Sequence, residues 1–337
     1  MKDYIMPRIF KASTGIARSI FVTLGIGLLI ENIGRLIDSE SLIQIGNVAK
    51  NLMAPSIGVG IAFMLGANLL TIMSAMITSS LGAGAITFTA AGFLIKSGEP
   101  IGALLAATLA TYIGKRISGK TPVDMMIVPL GSILIAGWAG LWLSGAISPI
   151  LTTVAGFIKD ASSGVPFVSS IVISVVWGLL LLSPASSVAL AVALNMDGLI
   201  GGAALAGCAA HFIGFSLISA RENNLGGILA QLICTPKIQL PNITKNIWIV
   251  VPSVIAGAIA GPVSFFVFGI EVAKEYAGLG LCSLIVPIHL LTIYPPGYII
   301  LAMLVTYLLI PGVISYLVYL ALWKKEWIRP GDLRLPE

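Results

Sequence analysis

Long apolar runs constrain this chain more than any other feature. The stretch from 247 to 270 (IWIVVPSVIAGAIAGPVSFFVFGI) contains no charged residue, and comparable runs recur along the whole sequence. A helix needs about 20 apolar residues to cross a hydrocarbon core about 30 Å thick. That ruler predicts spans near 17–36, 52–74, 77–96, 99–117, 123–145, 166–183, 198–219, 247–270 and 298–323. Only 10% of the 337 residues are charged, whereas soluble domains carry roughly a quarter. Too few charges remain to build a water-facing surface, so lipid is the expected solvent for most of the exterior. The expected fold class is an all-α polytopic membrane protein, one integral membrane domain over 1–337.

The surplus of cations is unevenly placed. Lys2, Arg8, Lys11 and Arg18 lead the chain, Lys324, Lys325, Arg329 and Arg334 close it, and further clusters occupy 115–120 and 237–245. Basic residues next to apolar spans mark cytoplasmic flanks. Both termini, 1–16 and 324–337, are therefore expected in the cytoplasm, with an even number of crossings, about ten in all. The basic balance reads as topology and gives no reason to expect nucleic acid. Cys208, Cys234 and Cys282 form no CxxC pair, so neither a disulfide framework nor a zinc site is expected. The first apolar run lacks a small-residue cleavage site and reads as a retained helix.

Three apolar pieces, 185–195, 225–235 and 278–293, are mostly too short to cross. They are either re-entrant or broken helices, or ordinary spans kinked at glycine. Irregular backbone at membrane depth survives only where protein or a water-filled cavity satisfies it, which is why such pieces point to a transport site. The segment 146–165 either lies in the interface or extends the preceding span. Gly202 to Ala206 and Ala203 to Gly207 place small residues four apart, the spacing that lets helices pack backbone to backbone in lipid.

Ionisable residues inside apolar spans are costly and mark candidate sites. Here they are Glu31, Glu99, Asp124, Asp197, His211, Arg221, Glu222 and His289. The segment 211–227 (HFIGFSLISARENNLGG) concentrates them, with His211, Glu222, Asn223 and Asn224 among its polar residues. A carboxylate accepts hydroxyl hydrogen bonds, while His and Asn both donate and accept, so this set can replace a sugar's hydration shell. On one continuous helix His211 and Glu222 would lie about 16 Å apart. A break at 221–227 would let Glu222 turn back toward His211; the bland alternative is a solvated RENN loop. Ser186, in SPASSV (183–188), either binds substrate at a hairpin tip or caps the following helix. Lys120 and Asp124, in YIGKRISGKTPVDMMIVPLG (112–131), belong to a loop entering a helix and are gating candidates. No Walker glycine spacing, hydrolytic triad or His-Glu-x-x-His pattern occurs, so no catalytic residue, metal or cofactor is expected.

Several stretches carry a family resemblance: SGKTPVDMMIVPL (118–130), LSPASSVALAVAL (182–194), the block 201–246 from GGAALAGCAAHF to QLPNITKN, and VPSVIAGAIAGPVSFFVFG (251–269). The chain resembles the membrane-spanning IIC component of bacterial sugar phosphotransferase systems, in the branch that includes the perfringolysin-regulator-like membrane proteins. The resemblance implies a sugar permease of the bacterial cytoplasmic membrane with about ten spans, two re-entrant hairpins, a homodimer and an elevator-like movement. It also implies that Glu222 and His211 hold sugar hydroxyls, although the motif here is RENN and not the Gly-Ile-Thr-Glu of the glucose group. Sugar phosphorylation would need separate A and B components, the soluble IIB being the expected partner. A phosphorylation-uncoupled transporter and a membrane ligand sensor stand as alternatives.

Overall fold

The computed structural model describes residues 2–89, 92–161 and 165–335, and the chain divides into two compact units, 1–150 and 151–337. Among the described residues five helical stretches are long and apolar enough to cross a bilayer: Ile5–Leu36, Asp124–Ile147, Gly198–Ile218, Ile247–Val267 and Pro296–Lys324. Each overlaps a predicted span, although the first begins at Ile5, inside the segment 1–16 expected as a terminal flank. Shorter apolar helices account for much of the remainder.

The first unit contains α1 (Lys2–Ile20), α2 (Ile26–Leu36), α3 (Glu40–Asn51), α4 (Met53–Met64), α5 (Leu69–Gly82), the strands β1 (Ile86–Thr89) and β2 (Gly92–Ile95), α6 (Pro100–Ile117) and the start of α7 (Asp124–Ala161). Two predicted spans are corrected here. The run 52–74 breaks at Gly66, whose φ of +68° stops α4, and Asn68 caps α5 by accepting the Thr71 N–H at 3.0 Å. The run 77–96 leaves the helix at Gly84 (φ +58°) and becomes an antiparallel hairpin that pairs Ile86 with Ile95 and Phe88 with Phe93. Ile86, Thr87, Phe88 and Thr89 are strand formers; apolar count alone hid this. The segment 146–165 continues α7 as far as Ala161.

Glycines set the spacing of helices in this unit. A Cβ on Gly15 would lie 2.5 Å from Gly60 O, and one on Gly102 would lie 1.9 Å from Gly82 O. These backbones touch because no side chain intervenes. Glu31 is buried in α2, where its carboxylate pairs with Arg35 at 2.8 Å and with Lys50 of α3. Its charge is thereby neutralised within the unit, which is the condition for burying it.

The second unit contains α8 (Pro166–Leu182), α9 (Ser187–Ala193), α10 (Gly198–Ile218), α11 (Leu225–Leu229), α12 (Leu240–Lys245), α13 (Val251–Pro262), α14 (Lys274–Ala277), α15 (Ile285–Ile293), α16 (Pro296–Met303) and α17 (Ile310–Lys324). Apolar on every side, α10 is the buried axis of this unit, packed by α8, α13 and α17. Its small residues act as the spacing predicted. A Cβ on Gly202 or Gly207 would fall 1.9 Å from the carbonyl oxygen of Ile270 or Ser174 respectively. The three leftover apolar pieces are short and interrupted: α9 has seven residues, α11 runs into a π-helical turn that ends at Cys234, and α15 follows an irregular turn.

The C-terminal segment does not trail into solvent as a simple basic flank. After α17 it folds back, burying Ile328 and Leu333 against Leu182, Phe215, Ile249 and Tyr319.

Candidate functional site

His211 is fully buried on α10. Its Nδ1 lies 2.9 Å from Gly207 O one turn earlier, which places the ring proton on Nδ1 and leaves Nε2 an acceptor. The imidazole fills the space left by Gly178 of α8, where a Cβ would come within 2.4 Å of Cε1. Nε2 has no hydrogen-bond partner among the described residues, and neither has the neighbouring indole Nε1 of Trp177 on α8. Buried polar atoms are normally satisfied, so this interface keeps one acceptor and one donor in reserve.

Glu222 does not join His211. The expected break is present, since α10 ends at Ile218 and a turn carries the chain to Asn224. The carboxylate, however, accepts the backbone N–H groups of Gly331 (3.0 Å) and Leu333 (3.1 Å). Asn223 is similarly engaged: its Nδ2 donates to Leu333 O at 2.9 Å and its Oδ1 accepts from Leu335 N at 2.8 Å. Asn224 caps α11, accepting the Gly227 N–H at 2.8 Å. The RENN segment is thus a half-exposed turn, with Arg221 and Asn224 at the surface, and not a partner of His211. It holds the chain's own C-terminal segment, a role no local pattern announces because the partners lie about a hundred residues away.

Ser186 occupies the tip between α8 and α9, where its carbonyl accepts the Leu190 N–H at 3.1 Å. Ser183 begins the tip, its hydroxyl accepting from Ala185 N at 3.1 Å. Sequence reasoning missed the residue that fixes this tip. Lys237, counted among basic flanks, is only 6% exposed. Its ammonium donates to Ser183 O at 2.5 Å and to Ala185 O at 3.0 Å. The Ser183 carbonyl sits where α8 ends and its partial negative charge gathers, a favourable place for a cation. One signal was available: Lys237 stands alone in ICTPKIQL (233–240), within an otherwise uncharged stretch.

A third segment reaches the same tip. The Ser187 hydroxyl donates to Gly278 O at 2.9 Å, ahead of the turn into α15. In that turn Ser283 (φ 53°) and Leu284 (φ 56°) are both left-handed. Side chains with a Cβ rarely adopt this conformation, and it is characteristic of functional or over-determined backbone. The pieces 183–187, 236–239 and 278–284 therefore meet around one turn, the tip between α8 and α9. All three belong to the leftover apolar segments or their edges.

In the first unit, Asp124 organises the loop before α7. It accepts from Thr121 N at 3.0 Å, from Thr121 Oγ1 at 2.6 Å and from Gly119 N, whose φ is +80°. Lys120 projects exposed from that loop. Nearby, Lys115 donates to Leu65 O at 2.5 Å and Asn68 to Ser118 Oγ at 2.7 Å, tying the α4–α5 break to the end of α6.

Comparison with known families decides what such a membrane protein is. The family model described as "Phosphotransferase system, EIIC" matches residues 10–335. The chain belongs to this EIIC family. It is accordingly the membrane permease subunit of a phosphotransferase system, a membrane-embedded protein of sugar transport. No curated protein matches it. In this EIIC chain the match runs through both compact units.

Proposed function

We propose that this EIIC subunit binds its sugar at the α8–α9 hairpin tip, with Ser186 presented by the tip and His211 as a hydroxyl acceptor in the helix interface behind it. The observation that carries the reading is the convergence of three broken segments, joined by Lys237 to Ser183 and Ala185 and by Ser187 to Gly278. Polar backbone gathered at helix ends inside an apolar unit is how transporters build solute sites. In this reading Glu222, Asn223 and Asn224 support the site from outside and do not touch sugar. Lys120 and Asp124 shape a loop on the first unit and serve as gating elements.

The same reading assigns solute carriage to the unit 151–337 and a homodimer scaffold to the unit 1–150, with about ten crossings, both termini cytoplasmic and elevator-like movement. The chain supplies the path, and separate A and B components supply the phosphoryl group, the soluble IIB meeting the bound sugar from the cytoplasm. The test is a thermal-shift screen of hexoses, hexitols and disaccharides on the purified full chain, since a bound solute raises apparent stability. The best sugar is then titrated into Ser186→Ala, His211→Ala and Glu222→Gln. The first two are expected to weaken binding by ~10-fold or more, about 1.4 kcal/mol, with Glu222→Gln close to wild type. Loss confined to Glu222→Gln would return the site to the RENN segment and refute the tip.

A further inference from the structure

The returning C-terminal segment is bound as a peptide would be. Side chains from one stretch of chain read its backbone in order. Asn246 donates to Trp327 O at 2.8 Å, Glu222 accepts from Gly331 N and Leu333 N, Gln239 donates to Leu333 O at 3.0 Å, and Asn242 donates to Arg334 O at 2.8 Å. Asn223 closes the row on Leu335 N. Two apolar anchors, Ile328 and Leu333, are buried at 1% and 0% exposure. Paired amide-to-side-chain contacts and sunken apolar residues together fix the register of a segment that has no helix or sheet of its own.

The residues that grip this segment are connected to one another and to the hairpin tip. Gln231 donates to Ser219 Oγ at 2.9 Å, Gln239 donates to Gln231 Oε1 at 2.9 Å, and Asn242 donates to Gln239 Oε1 at 2.6 Å. This network is buried, so each member depends on the others for its satisfaction. Gln239 lies on the same short 3₁₀ turn, Pro236–Gln239, as Lys237. That turn grips the C-terminal segment at one end and the carbonyls of Ser183 and Ala185 at the other.

We infer that residues 327–335 form a strap that locks the α8–α9 tip in place through the turn 236–239. The strap's carbonyls and amides satisfy Gln239, Asn242, Asn223 and Glu222. Without them Glu222 loses its two amide donors, Gln239, Asn242 and Asn223 keep only their bonds to Gln231, Gln239 and Ser219, the turn loosens, and the Lys237 ammonium no longer holds the tip. The inference concerns the mechanics of the tip. It matters for transport only if the sugar is bound there, and in that sense it rests on the preceding reading.

The full chain with Leu333→Asp places a carboxylate where the deepest anchor sits and should eject the strap; Leu333→Ala provides a milder version. Hydrogen exchange followed by mass spectrometry reports the strap and the tip separately. The expected result is faster exchange in 331–335, accompanied by at least ~10-fold faster exchange at amides 185–190. Adding Asn223→Cys and Leu335→Cys to Leu333→Asp, then oxidising to a disulfide, should return tip exchange toward wild type. The three native cysteines are buried, which favours pairing of the introduced thiols. If the strap exchanges freely in either Leu333 variant while 185–190 exchanges as in wild type, the inference is overturned. If the tip loosens but the affinity for the sugar selected in the thermal-shift screen is unchanged, the strap stands and the sugar site is elsewhere.

Discussion

Replacing Gly207 by alanine tests the packing that sets the second unit's geometry. A Cβ there would lie 1.9 Å from Ser174 O, 2.5 Å from Ser174 C and 2.6 Å from Ser174 Oγ. Ordinary contact begins at 3.4 Å, so the carbonyl must retreat by 3.4 − 1.9 = 1.5 Å. No rotamer change relieves this, because the obstacle is backbone. Moving α8 also strains the Ser174 Oγ bond to Gly257 O, now 2.6 Å, and thereby reaches α13. Overpacking costs about 1–3 kcal/mol, and a backbone obstacle puts this site at the upper end. Against it stands the helix-propensity gain of Gly→Ala, about 1 kcal/mol. The net loss is expected near 2 kcal/mol, or a fall of ~4–8 °C in Tm for a unit of this size. Tryptophan fluorescence during heating in detergent reads it, with Trp177 buried in the same interface. Gly297→Ala is the control: nothing lies within 4 Å of its Cβ position, so its Tm should hold or rise slightly. A Gly207→Ala protein that melts with wild type would refute backbone-to-backbone contact between α8 and α10.

Two further substitutions follow from capping geometry. Asp124→Asn leaves one acceptor oxygen where the carboxylate serves Gly119 and Thr121; the local loss should be about 1 kcal/mol, seen as ~5-fold faster hydrogen exchange at 119–124 with an unchanged global melt. Asn224→Ala removes the cap of α11 at a cost of about 1 kcal/mol and should quicken exchange at Gly227, while Asn224→Asp should keep it slow.

Crossing segments were legible because their signal is local: a run of apolar residues long enough for the bilayer, as at 198–219, needs no knowledge of its neighbours. The two runs that misled, 52–74 and 77–96, contain Gly66 and Gly84, whose left-handed backbone ends a helix regardless of hydrophobicity. At the candidate site, His211 and Ser186 were singled out by residue type, and the structure puts one in a helix interface and the other in the turn between α8 and α9. The partners of the Glu222 carboxylate could not be read from the sequence, because Gly331 and Leu333 contribute only backbone amides. An amide donor is the same in every non-proline residue, so no pairing rule in the sequence points to it. Lys237 escaped for a related reason, its partners being carbonyls of the chain.

Lys237 also has a history within the life of the chain. During insertion the polypeptide is read segment by segment, and a cation beside an apolar stretch biases which side of the membrane that stretch's end will keep. Nothing has yet folded around the ammonium at that moment, so it counts as a full positive charge. Once the second unit closes, the same ammonium is withdrawn between two carbonyls and vanishes from the surface. Of the two cations in 237–245, only Lys245 then remains outside the buried set. A neutral residue at 237 is expected to remove the fastening of the finished unit and, by the positive-inside rule, one orienting charge from the nascent chain. A membrane protein can spend one charge first on its address and afterwards on its architecture.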